Sequence, residues 1–204
     1  MIEQYTTIEG FKEFQFKEKG SLFIGQAFPL QTEEEATTKI KEIKKKYYDA
    51  THHCTAWRLT DNFRYSDDGE PNGTAGIRIL NAIDHHSLIN VLVVVIRYYG
   101  GVKLGVGPLG KAYYFGADET LKETKKICKK LFVEVNLTFS YDYISLVHQL
   151  LEKHEAKITD SQFSNQALIT ALIKPVFITQ IEQKMVSLSK GSAQVLQTGK
   201  TVYL

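Results

Sequence analysis

Asn90-Val91-Leu92-Val93-Val94-Val95-Ile96-Arg97-Tyr98-Tyr99-Gly100-Gly101-Val102-Lys103-Leu104-Gly105-Val106-Gly107-Pro108-Leu109-Gly110-Lys111 decides how this chain folds. Asn90 to Tyr98 is a near-continuous apolar run that ends in Arg97, which predicts a strand buried on both faces. The loop after it is rich in glycine: six of the chain's 14 glycines fall between positions 100 and 116. Pro108 suits the first turn of a helix. The pattern from Ala112 predicts that this helix continues to Lys130, with Lys122, Lys125, Lys126, Lys129 and Lys130 near its end.

Upstream, Phe11 to Leu30 predicts two strands around a Lys17-Glu18-Lys19-Gly20 turn, with Leu22, Ile24 and Phe28 apolar. Thr32 precedes Glu33, Glu34 and Glu35, and lysines 39, 41, 44, 45 and 46 close the segment, the charge order that a helix dipole favours. Cys54 to Leu59 reads as a strand and Asp61 to Pro71 as a polar loop. A helix is expected from about Thr74 to Ile83. Downstream, Leu131, Val133, Val135 and Leu137 alternate as a strand. Asp142 is positioned to cap a helix containing Ile144, Val147, Leu150 and Leu151. Strands at Ala156–Asp160 and Gln166–Ile173, a helix from Pro175 to about Leu188 stopped by Gly191, and a strand at Ala193–Gln197 complete a βαββαβ order, the split-βαβ plait. Two domains are therefore expected, 1–130 and 131–204, in an α+β chain.

The 204 residues are 43% hydrophobic and 24% charged, which excludes a disordered, collagenous or disulfide-stapled chain. Cys54 and Cys128 lie too far apart for a Cys-x-x-Cys motif, so a reducing cytoplasm is the expected compartment. Val91 to Ile96 is the longest apolar run, far short of the ~20 residues a membrane span needs. Met1-Ile2-Glu3-Gln4 lacks the basic start and apolar core of a secretion signal. The net charge of +2 predicts no partner, but its distribution is informative. Residues 131–204 balance six lysines against six acids, whereas residues 97–130 hold eight Lys or Arg against three acids.

Gly105-x-Gly107-x-x-Gly110 matches the dinucleotide fingerprint, but lysines stand where that motif needs a ribose-binding acid. Gly105 to Lys111 also begins like a P-loop, yet Ala112 replaces the hydroxyl that would hold magnesium. Neither cofactor is expected. The physics common to both motifs survives them: glycines let backbone N–H groups approach an anion, and a helix N-terminus favours negative charge. Arg97, Gly100, Gly101, Lys103, Gly105 and Lys111 are thus candidate phosphate-binding residues. The alternative is that these glycines only permit tight packing of strand and helix. Asp67, Asp68 and Glu70 form a candidate acidic site for a hard cation or acid–base work. The same residues would equally serve to fix a turn, cap the following helix and pair with nearby cations. His52 and Cys54 share one strand face and His53 points oppositely. Zinc would need two further ligands, and none stands at recognisable spacing, so no metal site is expected there.

Four stretches together resemble the bacterial branch of the Impact family, often called the YigZ family. They are Lys19-Gly20-Ser21, Ala50-Thr51-His52-His53-Cys54-Thr55-Ala56-Trp57-Arg58, Asp67-Asp68-Gly69-Glu70-Pro71-Asn72-Gly73-Thr74-Ala75-Gly76 and Val93 to Gly105. The resemblance implies a first domain folded like the second domain of a small-subunit ribosomal protein and the fourth domain of elongation factor G. The tail is then a ferredoxin-like domain resembling that factor's fifth domain. Eukaryotic relatives restrain a starvation kinase pathway through a separate protein-binding domain, for which these residues leave no segment. Two departures stand out. Gly107-Pro108-Leu109-Gly110-Lys111 replaces a glycine pair and arginine usual in the family, and Ile77-Arg78 stands where an arginine and proline are usual.

The combined expectation is a cytosolic, non-catalytic protein linked to translation that binds RNA or the ribosome through phosphate, with no cofactor. A small-molecule or metal-dependent enzyme using the acidic loop and a protein-interaction module using the plait's sheet face are the alternatives. A protein of the translation machinery is a further expected partner, and a membrane is not.

Overall fold

The computed structural model describes residues 2–204, which divide into two compact units, residues 5–128 and residues 129–204 with 2–4. In the first unit a 5-stranded sheet runs β2 (Lys12–Glu18), β3 (Ser21–Pro29), β6 (Val91–Tyr98), β4 (His52–Arg58), β5 (Phe63–Ser66), with β1 (Gln4–Glu9) outside it. Every neighbouring pair in this sheet is antiparallel. The central strand β6 is buried along its length except at Tyr98, as its unbroken apolar run requires.

Alternation along β6 feeds two cores. Leu92, Val94 and Ile96 pack with Ile24, Trp57 and the Ala36 and Ile43 of α1 (Glu33–Lys46). Val91, Val93 and Val95 pack with Cys54, with Ile79 and Ile83 of α2 (Gly76–His85), and with Tyr113 and Leu121 of α3 (Val106–Lys122). The sheet is thus covered on both faces. Helix α1 begins where its sequence dictates: the Thr32 hydroxyl accepts from the Glu35 N–H at 3.2 Å, with three glutamates in the first turn and three lysines in the last.

Strand β7 (Lys125–Phe139) corrects one expectation. The helix expected to reach Lys130 ends at Lys122, and the Thr124 hydroxyl donates to the Leu121 carbonyl at 2.6 Å just beyond it. Lys125, Lys126, Lys129 and Lys130 therefore lie on a strand.

The second unit follows the βαββαβ order: β7, α4 (Ile144–Lys153), β8 (Lys157–Phe163), β9 (Ala167–Ile173), α5 (Pro175–Leu188) and β10 (Gln194–Tyr203). Its strands lie in the order β10-β7-β9-β8, all antiparallel. One face buries Val135, Leu137, Phe139 and Ile169 against Val147, Leu151, Ile181 and Met185 of the two helices. Pro175 opens α5, and the Gly191 N–H closes it on the Val186 carbonyl at 2.9 Å. Asp142 does not cap α4. It lies in a 3₁₀ turn, Tyr141–Tyr143, ahead of that helix, and its carboxylate accepts from the Ser140 hydroxyl at 3.1 Å. Among the described residues no helix is long and apolar enough to cross a membrane.

Candidate functional site

The acidic loop runs from β5 into α2, and the fold engages each of its carboxylates. Asp67 Oδ1 accepts from the N–H groups of Ala75 at 2.9 Å and Gly76 at 2.8 Å, and Oδ2 from that of Gly73 at 2.9 Å. One carboxylate thus satisfies the first N–H of α2, that of its N-cap Ala75, and that of Gly73 on the approach to the helix. Asp68 Oδ1 accepts from Lys44 Nζ at 2.6 Å and Oδ2 from the His53 N–H at 2.7 Å. Burial pushes the Asp68 carboxyl up, but the bonds from Lys44 and His53 outweigh it and hold the group below its usual range.

Glu70 is buried, and its Oε1 accepts from Arg97 Nη1 at 2.6 Å and from the Tyr113 hydroxyl at 2.7 Å. Arg97 is only 5% exposed. Its Nη2 donates to the Ser21 hydroxyl at 3.3 Å, and its guanidinium lies 5.4 Å from the ring centres of Phe23 and Tyr99. Among the described residues its Nε finds no acceptor. The cause is local: β6 is buried on both faces, so a cation near its end turns inward and requires a buried counter-charge. Arg97 is therefore an internal tie between the acidic loop and β6, and is not presented to solvent.

Around this pair the polar groups are similarly committed. The Cys54 thiol donates to the Asp67 carbonyl at 3.0 Å, and burial, reinforced by the charges of Glu70, Asp68 and Asp67, pushes it far up and out of thiolate chemistry. Burial likewise raises the Tyr113 phenol. His52 Nδ1 lies 2.9 Å from the Asp68 carbonyl, and His53 Nε2 lies 2.8 Å from that of Tyr47. The two histidines thus use opposite sides of β4. Among the described residues no three His, Cys, Asp or Glu side chains are grouped to hold a metal.

The glycines of the loop divide by role. A Cβ on Gly100 would stand 2.0 Å from the Gly20 carbonyl carbon and 2.4 Å from Ser21 N, so Gly100 is where β6's end meets the β2–β3 turn. Gly101 and Gly105 hold left-handed backbone, with φ of 84° and 87°, and turn the chain into α3. Val106 and Gly107, at the start of that helix, are exposed.

Lys103 and Lys111 are exposed, and neither has a carboxylate partner among the described residues. Lys111 borders two hollows on α3. The first, about 480 Å³, lies between Thr74, Arg78 and Asn81 of α2 and its approach and Gly107, Gly110 and Tyr114 of α3. Arg78, exposed, crosses α3 at Gly110, where a Cβ would come within 3.3 Å of its Nε, and it too has no ion pair among the described residues. The second, about 520 Å³, lies between Phe16, Lys17 and Glu18 of β2 and Pro108, Ala112 and Phe115 of α3. Arg78 was not among the residues singled out from the sequence. Its position beside Gly110 is a tertiary fact, and the only sequence signal was its place in the altered Ile77-Arg78 pair.

Comparison with known proteins agrees with this division of the chain. Residues 19–121 match the Impact N-terminal domain, and residues 137–192 match a domain of unknown function, DUF1949. The chain is 31% identical over 183 residues to the IMPACT family member YigZ of Escherichia coli, covering 87% of this chain and 90% of that protein. It is 29% identical over 129 residues to Protein IMPACT of Oryctolagus cuniculus, covering 60% of this chain but 37% of that protein. A solved structure described as "Crystal structure of an hypothetical protein" superposes with a TM-score of 0.70 at 28% identity, covering 96% of this chain and 98% of its own. The strand, glycine loop and helix that organise the first unit all fall inside the matched Impact segment, and the chain belongs to the IMPACT family.

Proposed function

We propose that this protein binds RNA of the translation apparatus, the ribosome included, without catalysis, holding phosphate at the α2–α3 groove. The observation that carries the reading is the cationic lining of α3's first turns: Arg78 and Lys111 border one groove, Lys103 stands in the preceding loop, and none is neutralised among the described residues. Val106 and Gly107, exposed in the first turn of α3, add the positive end of the helix. Arg78 supplies the planar fork that lysine lacks. Such contacts give affinity with little sequence reading. Arg97 has no part in them, because Glu70 already holds it.

The rival readings have less support. The carboxylates that an acid–base or metal enzyme would use are occupied in capping α2 and in pairing with Lys44 and Arg97. The plait's open sheet face carries polar pairs, Thr170 to Asn136 at 3.0 Å and Lys200 to Glu134 at 3.0 Å, where a protein-docking face would be apolar. The resemblance of both domains to parts of elongation factor G favours a translational RNA, and hence a cytoplasmic setting. Co-sedimentation with ribosomes and total RNA across a salt series tests the proposal. Wild type should bind at low salt and release as salt rises, and Arg78→Ala/Lys111→Ala should bind weakly throughout. Absence of binding at 50 mM salt, or full binding by the double variant, would overturn it.

A further inference from the structure

The hollow between β2 and α3 is unlike the cationic groove beside it. Its floor is apolar, made by Phe16, Pro108, Ala112 and Phe115, and its rim carries Lys17, Glu18 and Lys111. Pro108, Lys111, Ala112 and Phe115 follow helical spacing, so one face of α3 builds one wall. The Phe16 and Phe115 rings meet nearly perpendicularly, at 83° and 5.0 Å between centres, while Phe115 remains 43% exposed. Phe16 in turn stacks on the buried Phe23 at 5.0 Å, which fixes its ring from behind. A held aromatic floor with an open ring is a platform for a flat, apolar-faced ligand.

We propose that this hollow seats an unpaired base of single-stranded RNA. This rests on the phosphate-binding reading above and specifies its substrate class. The link is Lys111, which borders both hollows. A phosphate held by Lys111 and Arg78 at the start of α3 leaves its attached nucleoside next to Phe115. Lys17 and Lys111 on the rim, neither paired among the described residues, complement the phosphates on either side, and the single acid there is Glu18. A volume of about 520 Å³ accommodates a purine. A base inside a duplex is stacked on both sides and cannot enter, whereas a loop or single strand offers a free face.

The test is fluorescence anisotropy at 50 mM salt with three labelled RNAs of one length: a 12-nucleotide single strand, its abasic counterpart, and a blunt duplex. The single strand should bind about tenfold more tightly than the abasic strand, the usual order for one stacked base. Phe115→Ala should abolish that preference and leave abasic binding unchanged. Phe115→Leu, which keeps an apolar side chain without a π face, should do the same, and an unchanged melting temperature shows that the fold is intact. Equal binding of single, abasic and duplex RNA would overturn the base-seating proposal while leaving the phosphate site standing. No binding of any RNA would remove both. Phe115-dependent binding of an acidic, tyrosine-containing peptide in place of RNA would make the hollow a peptide groove and overturn the proposal equally.

Discussion

Arg97 and Glu70, 27 positions apart, are joined by a 2.6 Å ion pair whose side chains are only 6% and 4% exposed. The pair closes the acidic loop onto the end of β6, so a buried acid and a buried base neutralise each other in the interior of the first unit. Outside this pair, the cationic edge of α3 stays open to an anion, with Lys103, Lys111 and Arg78 exposed and without a carboxylate partner among the described residues.

Removing one partner of a buried pair leaves the other charge without compensation. Arg97→Ala is therefore expected to lower stability by about 3–5 kcal/mol, and replacing both residues, as in Arg97→Met/Glu70→Leu, should recover much of it. Urea unfolding followed by circular dichroism reads both values. A cost below about 1 kcal/mol for Arg97→Ala would mean that the pair contributes little to the fold.

The loop glycines separate packing from binding. Gly100→Ala would place a methyl 2.0 Å from the backbone of Gly20, and rigid backbone cannot yield that much. Loss of the folded state, or a melting temperature lowered by many degrees, is expected. Gly107 has open space around it and lies in α3, so Gly107→Ala should raise stability by up to about 1 kcal/mol. If the exposed first turn receives phosphate, the same methyl weakens RNA binding, and the two effects part in opposite directions.

The two thiols should differ sharply. Cys54 is fully buried, donates to the Asp67 carbonyl and has its ionisation pushed up by burial and by neighbouring carboxylates, whereas Cys128 is exposed. Iodoacetamide at pH 8 should label the native chain once, at Cys128, and the denatured chain twice, as mass spectrometry would count. Rapid native labelling at Cys54 would mean that the network around Glu70 opens readily.

Much of the fold was legible because most elements carry their own signal. The Thr32 cap, the apolar β6 run, Pro175 and Gly191 each act locally, and each lies where its chemistry predicts. Strand β7 was obscured because lysines at 125, 126, 129 and 130 break its alternation until Leu131, and their density resembles a helix end. Strand β5 is exposed at all four positions and has no apolar pattern to betray it. For the site, the sequence could not say which carboxylate would meet Arg97, although a cation in a strand buried on both faces already demands one. The relation of Arg78 to Lys111 depends on helices packing at Gly110, which no local pattern encodes.

Acid should expose the Asp68 tie. Its carboxyl titrates below the usual value in the native state, so near pH 4 the unfolded chain binds the extra proton first. The stabilisation is complete above the unfolded value, about 3.9, and is lost as pH falls through the lower native value. Asp68→Asn should therefore be less stable than wild type at pH 7, with the difference shrinking towards pH 2. Asparagine suits the test because Asp68 holds a φ of 44°, which it tolerates better than most residues. Thermal melts of both proteins from pH 7 to pH 2 give the comparison, and parallel curves would show that the Lys44 and His53 bonds do not favour the ionised form.

Salt dependence distinguishes a phosphate site from general attraction to a basic surface. Each phosphate neutralised on a single strand contributes about 0.7 to the slope of log affinity against log salt. Arg78→Ala and Lys111→Ala should each reduce that slope by about 0.7. Lys122 supplies the control on the same helix. It lies 2.7 Å from Asp118 and 2.6 Å from Glu119, so its charge is already compensated. Lys122→Ala should leave the slope unchanged within error. If it reduces the slope as much as Lys111→Ala does, the RNA responds to the net field of α3 and not to the groove where Arg78 and Lys111 converge.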